Sequence, residues 1–127
     1  ARMEKKILIS VMDFTIEGVL YDSHSSNEVW ESLPFSGSVN LWGNEIYFPI
    51  DLVLGEDMTA QDVVALGTIG YWPPGKAICL FFGTTPISQG NECRAASPVN
   101  IIGELQGALS ILTKVTSGAS ITVTKHP

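Results

Sequence analysis

Hydrophobic and polar residues alternate along much of this chain, which is the pattern of strands with one buried face. The alternation predicts strands over 5–12, 14–20, 39–42, 45–48, 63–72, 99–105 and 121–123. Gly43-Asn44 separates two of these segments, and glycine at the first position of a two-residue loop is typical of a β-hairpin. Residues 77–82 are continuously apolar, as expected for a strand buried on both faces.

Helical signals are few and short. Ser25 is followed three residues later by Glu28, which is the spacing of a capping box. An apolar stripe then runs over residues 29–33, and Pro34 ends it. We expect Trp30, in this stripe, to be the main anchor of the helix against the rest of the fold.

The remaining segments are turns and loops. Residues 51–62 are acidic and predict a loop or a short helix, 73–76 predict a turn, and 84–98 predict a long irregular stretch. Residues 107–115 fit either a helix or a strand. Many short strands with one or two short helices indicate a mainly β barrel or sandwich, in a single domain over residues 1–127.

Composition limits the classes of function. Hydrophobic residues make up 45% of the 127 residues and charged residues 16%, which is typical of a globular domain. The net charge of −6 argues against electrostatic binding to nucleic acid or to an anionic membrane. We expect no membrane span and no secretory leader. Cys79 and Cys93 do not make a disulfide framework, so a reduced cytoplasmic setting is expected.

Two segments resemble the signature of a small prokaryotic family of cyclophilin-like proteins of unknown function. They are GYWPPGKA at 70–77 and FFGTTP at 81–86. SPVNIIGEL at 97–105 is similar to the family's segment after its long loop, and residues 121–124 are similar to its closing strand. The resemblance covers nearly the whole chain. It implies a closed antiparallel barrel of about eight strands, with short helices at the ends.

The resemblance does not extend to the catalytic residues of true cyclophilins. Those enzymes catalyse peptidyl-prolyl isomerisation, and they are understood to use an arginine in the hairpin that follows the first helix. The comparable segment here, 39–44, contains no arginine, and the aromatic and amide residues expected after it are not matched at 46–49. No catalytic residue is therefore assigned from the resemblance.

Arg94 is the one candidate to replace the missing catalytic arginine. The chain has only one other arginine, Arg2, which lies in an expected N-terminal tail. Arg94 stands in the long loop beside Glu92 and Cys93, and loops carry functional residues disproportionately. The alternative interpretation is a surface arginine paired with an acid.

Aromatic residues of the strands are candidates to line an apolar groove. Strand parity places neighbouring aromatics, Tyr71 and Trp72 or Phe81 and Phe82, on opposite faces, so one of each pair is expected in the core. Core packing is the favoured interpretation for most of them. The residues proposed to contact a ligand are Tyr47, Trp72, Phe82, Glu56 and Arg94.

Other candidate chemistry is sparse. Glu56 and Asp57 are the best paired carboxylates for metal binding or acid–base catalysis, although a solvated acidic loop explains them equally. His24 and His126 lack the spacing of a metal cluster, so neither a metal nor a cofactor is expected. Cys79 is expected to be buried and inert, and Cys93 to be exposed, with its reactivity left open.

Three functions remain. The first is a non-enzymatic domain that binds a peptide or a small molecule, because the fold signal is strong while the catalytic arginine is unmatched. The second is a divergent peptidyl-prolyl isomerase that uses Arg94. The third is an assembly subunit whose aromatic surface meets a partner. A monomer or a homodimer is expected.

Overall fold

The fold consists of short strands with little helix. The structure, a computed structural model, describes residues 5–127, so Arg2 lies outside the described residues. The helices are α1 (His24–Ser32) and two 3₁₀ helices at Pro73–Gly75 and Leu109–Lys114. The strands are β1 (Lys5–Val11), β2 (Phe14–Leu20), β3 (Phe35–Ser38), β4 (Asn40–Leu41), β5 (Glu45–Pro49), β6 (Gln61–Val64), β7 (Thr68–Trp72), β8 (Ala77–Phe81), β9 (Cys93–Gln106) and β10 (Ser120–Lys125). The mainly β class is confirmed.

The strands form one antiparallel, ten-stranded sheet. Its hydrogen-bonded order is β3-β10-β1-β2-β9-β7-β8-β5-β4, and β6 pairs with β9 off this path. Within residues 5–127 no strand pair joins β3 to β4, so the path has two free ends. The expected closed barrel of about eight strands is therefore not confirmed.

Strand β9 links two layers of the molecule. Its second half pairs with β2 over 103–106 and with β7 over 100–104, inside the main sheet. Its first half, from Cys93 to Val99, instead pairs with β6. The long irregular stretch predicted over 84–98 is thus wrong in its second part, because residues 93–98 belong to strand β9, which pairs with β6 at Cys93, Arg94 and Val99.

Most of the core lies on one face of the sheet. Alternate residues of β1, namely Ile7, Ile9 and Val11, are buried there, as the alternation predicts. On β5, β7 and β8 the other face is covered too, by a second apolar cluster made of Val64, Cys79, Phe81, Cys93, Ala95 and Val99. Every residue of β8 is buried, which confirms a strand with two buried faces.

Helix α1 begins two residues before the predicted position. Its N-cap is Ser23, whose hydroxyl accepts a hydrogen bond from the Ser26 amide, so the expected cap at Ser25 is wrong. Ser25 and Ser26 are instead buried in the helix, with Val29. Trp30 is only partly buried and its ring lies 4.7 Å from the Lys125 ammonium. Val29 and the two serines are the buried residues of α1, and Trp30 packs against the main core with its ring partly exposed.

One further prediction needs correction, and two segments that were left open have a defined structure. The strand predicted over 63–72 is two strands, because the chain turns at 65–67 and Gly67 adopts a φ of 87° that most other residues disfavour. The ambiguous segment 107–115 contains a 3₁₀ helix. Residues 51–60 form a loop, as one of the two alternatives predicted. None of the helices within residues 5–127 has the length and apolar character of a membrane-spanning helix.

Candidate functional site

A pocket of about 220 Å³ opens over the second apolar cluster. Three aromatic rings and one carboxyl group line it together with small apolar side chains. We call it the aromatic pocket, and its lining residues are Trp42, Glu45, Tyr47, Trp72, Ala95, Ala96 and Val99. These residues come from the β4–β5 hairpin, the end of β7 and the first half of β9. The pocket therefore depends on how these three parts of the fold are placed beside one another.

The β4–β5 hairpin places Trp42, Glu45 and Tyr47. Trp42 and Glu45 exchange backbone hydrogen bonds of 2.9 and 3.2 Å around Gly43-Asn44, which confirms the predicted two-residue loop. Gly43 has a φ of 61°, and a Cβ there would lie 2.9 Å from the backbone of residues 84–85. Glycine is required at this position because both the backbone conformation and the close approach exclude a side chain. Glu45 and Tyr47 then point to one face of β5.

Trp72 forms a rigid wall of the aromatic pocket. Its ring meets Tyr47 edge to face, with centroids 6.5 Å apart and planes at 72°. The indole Nε1–H donates a 2.6 Å hydrogen bond to the Ser97 hydroxyl. Gly75 packs so closely beneath the ring that a Cβ would lie 2.5 Å from it. These contacts hold the indole in one orientation without a ligand.

Glu45 is a buried acid beside the pocket. It is 5% exposed, and no group within residues 5–127 hydrogen-bonds its Oε1 atom. Burial raises the pKa of the carboxyl to about 7, and the hydrogen bond with the Cys79 thiol opposes that rise. Near neutral pH the pocket therefore holds a carboxyl group that is poised between its neutral and charged forms.

Arg94 does not line the aromatic pocket. It is the second residue of β9, and its Nε donates a 2.5 Å hydrogen bond to Glu92 while its Nη1 lies 3.1 Å from Asp62. Two carboxylates thus hold the guanidinium.

The carboxylates of Glu56 and Asp57 lie in different environments. Glu56 is exposed and lines a wider, more open depression beside Pro73 and Pro74. Burial favours a raised pKa for Asp57, but hydrogen bonds from Ser25 and Thr59 outweigh it, so the pKa lies below its usual value. Asp57 orders the loop rather than facing a pocket.

The other candidate residues also lie apart from the aromatic pocket. Phe82 packs against the main core instead. Cys93 is 3% exposed, so its expected exposure is wrong, and burial raises the pKa of its thiol. Cys79 is buried, as expected. Within the described part of the chain, no group of three or more His, Cys, Asp or Glu side chains is arranged to hold a metal ion.

The aromatic pocket contains two of the five predicted ligand-binding residues, Tyr47 and Trp72. Trp42 and Glu45 were missed. A signal for Glu45 existed in the sequence, because it shares strand parity with Tyr47 in the otherwise apolar segment EIYFP. A charged residue at an inward position of such a strand is unusual and indicates a special environment.

Comparisons with known proteins agree with this architecture. The model of the family described as Cyclophilin-like matches residues 5–124. The solution structure of a hypothetical protein from Archaeoglobus fulgidus superposes with a TM-score of 0.81 at 36% sequence identity, over 97% of this chain and 95% of that one. No curated protein matches the chain.

Proposed function

The chain belongs to the cyclophilin-like family, and from that premise we propose that it is a non-enzymatic domain that binds a small molecule or one side chain of a peptide in the aromatic pocket. The observation that carries the proposal is the pocket itself. Within residues 5–127 the lining consists of apolar and aromatic side chains and one carboxyl group, that of Glu45, which is the usual composition of a ligand site.

The size of the pocket limits the ligand. Typical sites for drug-sized molecules measure about 300–1,000 Å³, whereas this pocket measures about 220 Å³. We therefore expect a ligand group no larger than one amino-acid side chain. A larger peptide would place a single side chain in the pocket and leave the rest on the surface.

The polar groups of the pocket favour binding over prolyl isomerisation. Catalysis requires a group that stabilises the twisted transition state more than the ground state. A carboxyl group cannot supply positive charge to an imide nitrogen, and the guanidinium of Arg94 is held by Glu92 and Asp62. This arrangement supports a binding domain and not an isomerase.

The indole N–H signals of the three tryptophans test the proposal by NMR. Trp42 and Trp72 line the pocket, and Trp30 on α1 is an internal control. The probes are N-acetyl amino-acid amides and small aliphatic and aromatic fragments. We expect saturable shifts at the two pocket indoles and none at Trp30.

A blocking variant completes this test. Ala96→Phe fills the pocket from an exposed lining position, and Ala108→Phe adds the same ring at an exposed position elsewhere. Binding should be lost in the first variant and kept in the second. Absence of any saturable shift, or equal binding by both variants, would contradict the proposed function.

A further inference from the structure

We propose that the aromatic pocket selects organic cations, specifically protonated alkylamines with at least one N–H, and that the Glu45 carboxylate is their counter-charge. This inference rests on the proposed function and assigns a chemical class to its ligand. Three features of the site carry it: an unpartnered buried oxygen, aromatic walls, and the charge balance around the pocket.

The first feature is the unsatisfied oxygen of Glu45. The side chain is 95% buried, since 5% of it is exposed, and Oε1 lacks a hydrogen-bond partner within residues 5–127. A buried acceptor without a donor is costly, and such groups in proteins usually have a partner. The Glu45 side chain also lines the pocket, so a rotation of its carboxyl group would let a ligand N–H supply the missing donor. An ammonium N–H does so with charge assistance, which strengthens the bond.

The second feature is the nature of the walls. Trp42, Tyr47 and Trp72 supply aromatic rings, whose negative π-faces attract cations within about 6 Å. Ala95, Ala96 and Val99 complete the lining, and such a surface favours alkyl groups over water. An alkylated ammonium combines both properties, because its charge is spread over apolar methyl groups.

The third feature is charge. Among residues 5–127, no Lys or Arg side chain lines the pocket. The whole chain carries a net charge of −6, which raises the local concentration of cations and repels anions.

The state of Glu45 links cation binding to pH. Within residues 5–127, Glu45 hydrogen-bonds the Cys79 thiol of β8. Cys93 of β9 belongs to the same apolar cluster as Cys79, and the strand neighbour Tyr47 packs against that cluster. Burial raises the pKa of both thiols, so they stay neutral between pH 6 and 8. Glu45, with a pKa of about 7, is then the group that titrates in this interval. Binding of a cation favours its charged form and releases a proton.

Three probes of similar shape test the proposal by NMR, read at the pocket indoles. Trimethylammonium carries a charge and one N–H, tetramethylammonium carries a charge only, and tert-butanol is neutral. At pH 8 we expect trimethylammonium to bind at least about tenfold more tightly than tert-butanol, because the alcohol can donate a hydrogen bond to the carboxylate but brings no positive charge to it. Tetramethylammonium should lie between them, since it leaves Oε1 without a donor.

The pH profile and one variant isolate the role of Glu45. Affinity for trimethylammonium should fall about tenfold from pH 8 to pH 6, following a pKa of about 7, while that for tert-butanol stays constant. Glu45→Gln should remove the preference for trimethylammonium over tert-butanol and the pH dependence of trimethylammonium affinity. The wild-type profile tests the same point without any substitution.

The outcomes separate this inference from the proposed function. If tert-butanol binds as tightly as trimethylammonium, or if Glu45→Gln keeps the preference for the cation, the proposed ligand class is wrong while a binding pocket remains. If none of the three probes binds but other fragments shift the pocket indoles, the ligand class again is wrong. If no compound of any kind shifts them, both proposals fail.

Discussion

The buried acid Glu45 predicts a pH dependence of stability that can be measured without any ligand. In the folded protein, burial raises the pKa of this carboxyl from 4.5 to about 7. Between these two values the folded state keeps the proton while the unfolded chain has lost it. Since the folded state then binds more protons, stability falls as the pH rises through this interval and is constant above it.

The size of this effect follows from the two pKa values. One pKa unit corresponds to about 1.36 kcal/mol, so a rise from 4.5 to about 7 amounts to about 3 kcal/mol of stability lost between pH 4.5 and pH 7.5. Glu45→Gln keeps the shape of the side chain and removes its charge, so it should not show this loss. For a domain of this size the difference corresponds to roughly 10 °C in melting temperature.

Urea unfolding of wild type and Glu45→Gln between pH 4 and pH 9 measures the effect. Other titrating groups, such as the exposed His126, contribute to both proteins and cancel in the difference. We expect the variant to gain about 3 kcal/mol relative to wild type as the pH rises from 4.5 to 7.5, with no further change above. Glu56→Gln, which removes an exposed carboxylate, is the control and should show no such step. Parallel curves for wild type and Glu45→Gln would refute the reasoning.

Three other predictions follow from the structure. In a protease-coupled assay on an Ala-Pro peptide, wild type and Arg94→Ala should both stay near the uncatalysed rate, and activity close to that of a true cyclophilin would contradict the binding function. Gly103→Ala should lower the free energy of unfolding in urea by about 1–3 kcal/mol or more, because the added Cβ would lie 2.3 Å from a backbone oxygen of β2. Gly55→Ala is the control, because Gly55 has open space around it, and it should lower the free energy of unfolding by less than about 0.5 kcal/mol. Cys79 and Cys93 should react with a thiol reagent only after unfolding, and fast labelling of the native protein would show that one of them is accessible.

The local pattern of apolar and polar residues was sufficient to predict many of the strands. The alternation at 5–12 and 14–20 and the apolar run at 77–82 correspond to β1, β2 and β8. The hairpin around Gly43-Asn44 was also predicted, because a two-residue loop depends on the conformation of the glycine itself. In each case the determining interactions lie within a few residues along the chain.

Predictions failed where the partner of a segment is distant in sequence. The first half of β9 was expected to be a loop, and it is a strand only because β6 lies beside it. Within α1, Ser25 and Ser26 are more deeply buried than Trp30. The sequence did not predict this, because the Ser26 hydroxyl donates a hydrogen bond to the carbonyl of Ile102, 76 residues away. Single-residue properties do not specify such contacts.

The sequence alone determined that this chain is a mainly β domain of the cyclophilin-like type, and that Tyr47 and Trp72 were candidates for a ligand site. Only the tertiary structure decided which side chains share a pocket, because the order β9-β7-β8-β5 brings residues 42–47, 72 and 95–99 together. The raised pKa of Glu45 also depends on the tertiary structure. A glutamate in a strand is ordinarily solvated, and its raised pKa arises from the burial that β8 and β9 impose on it.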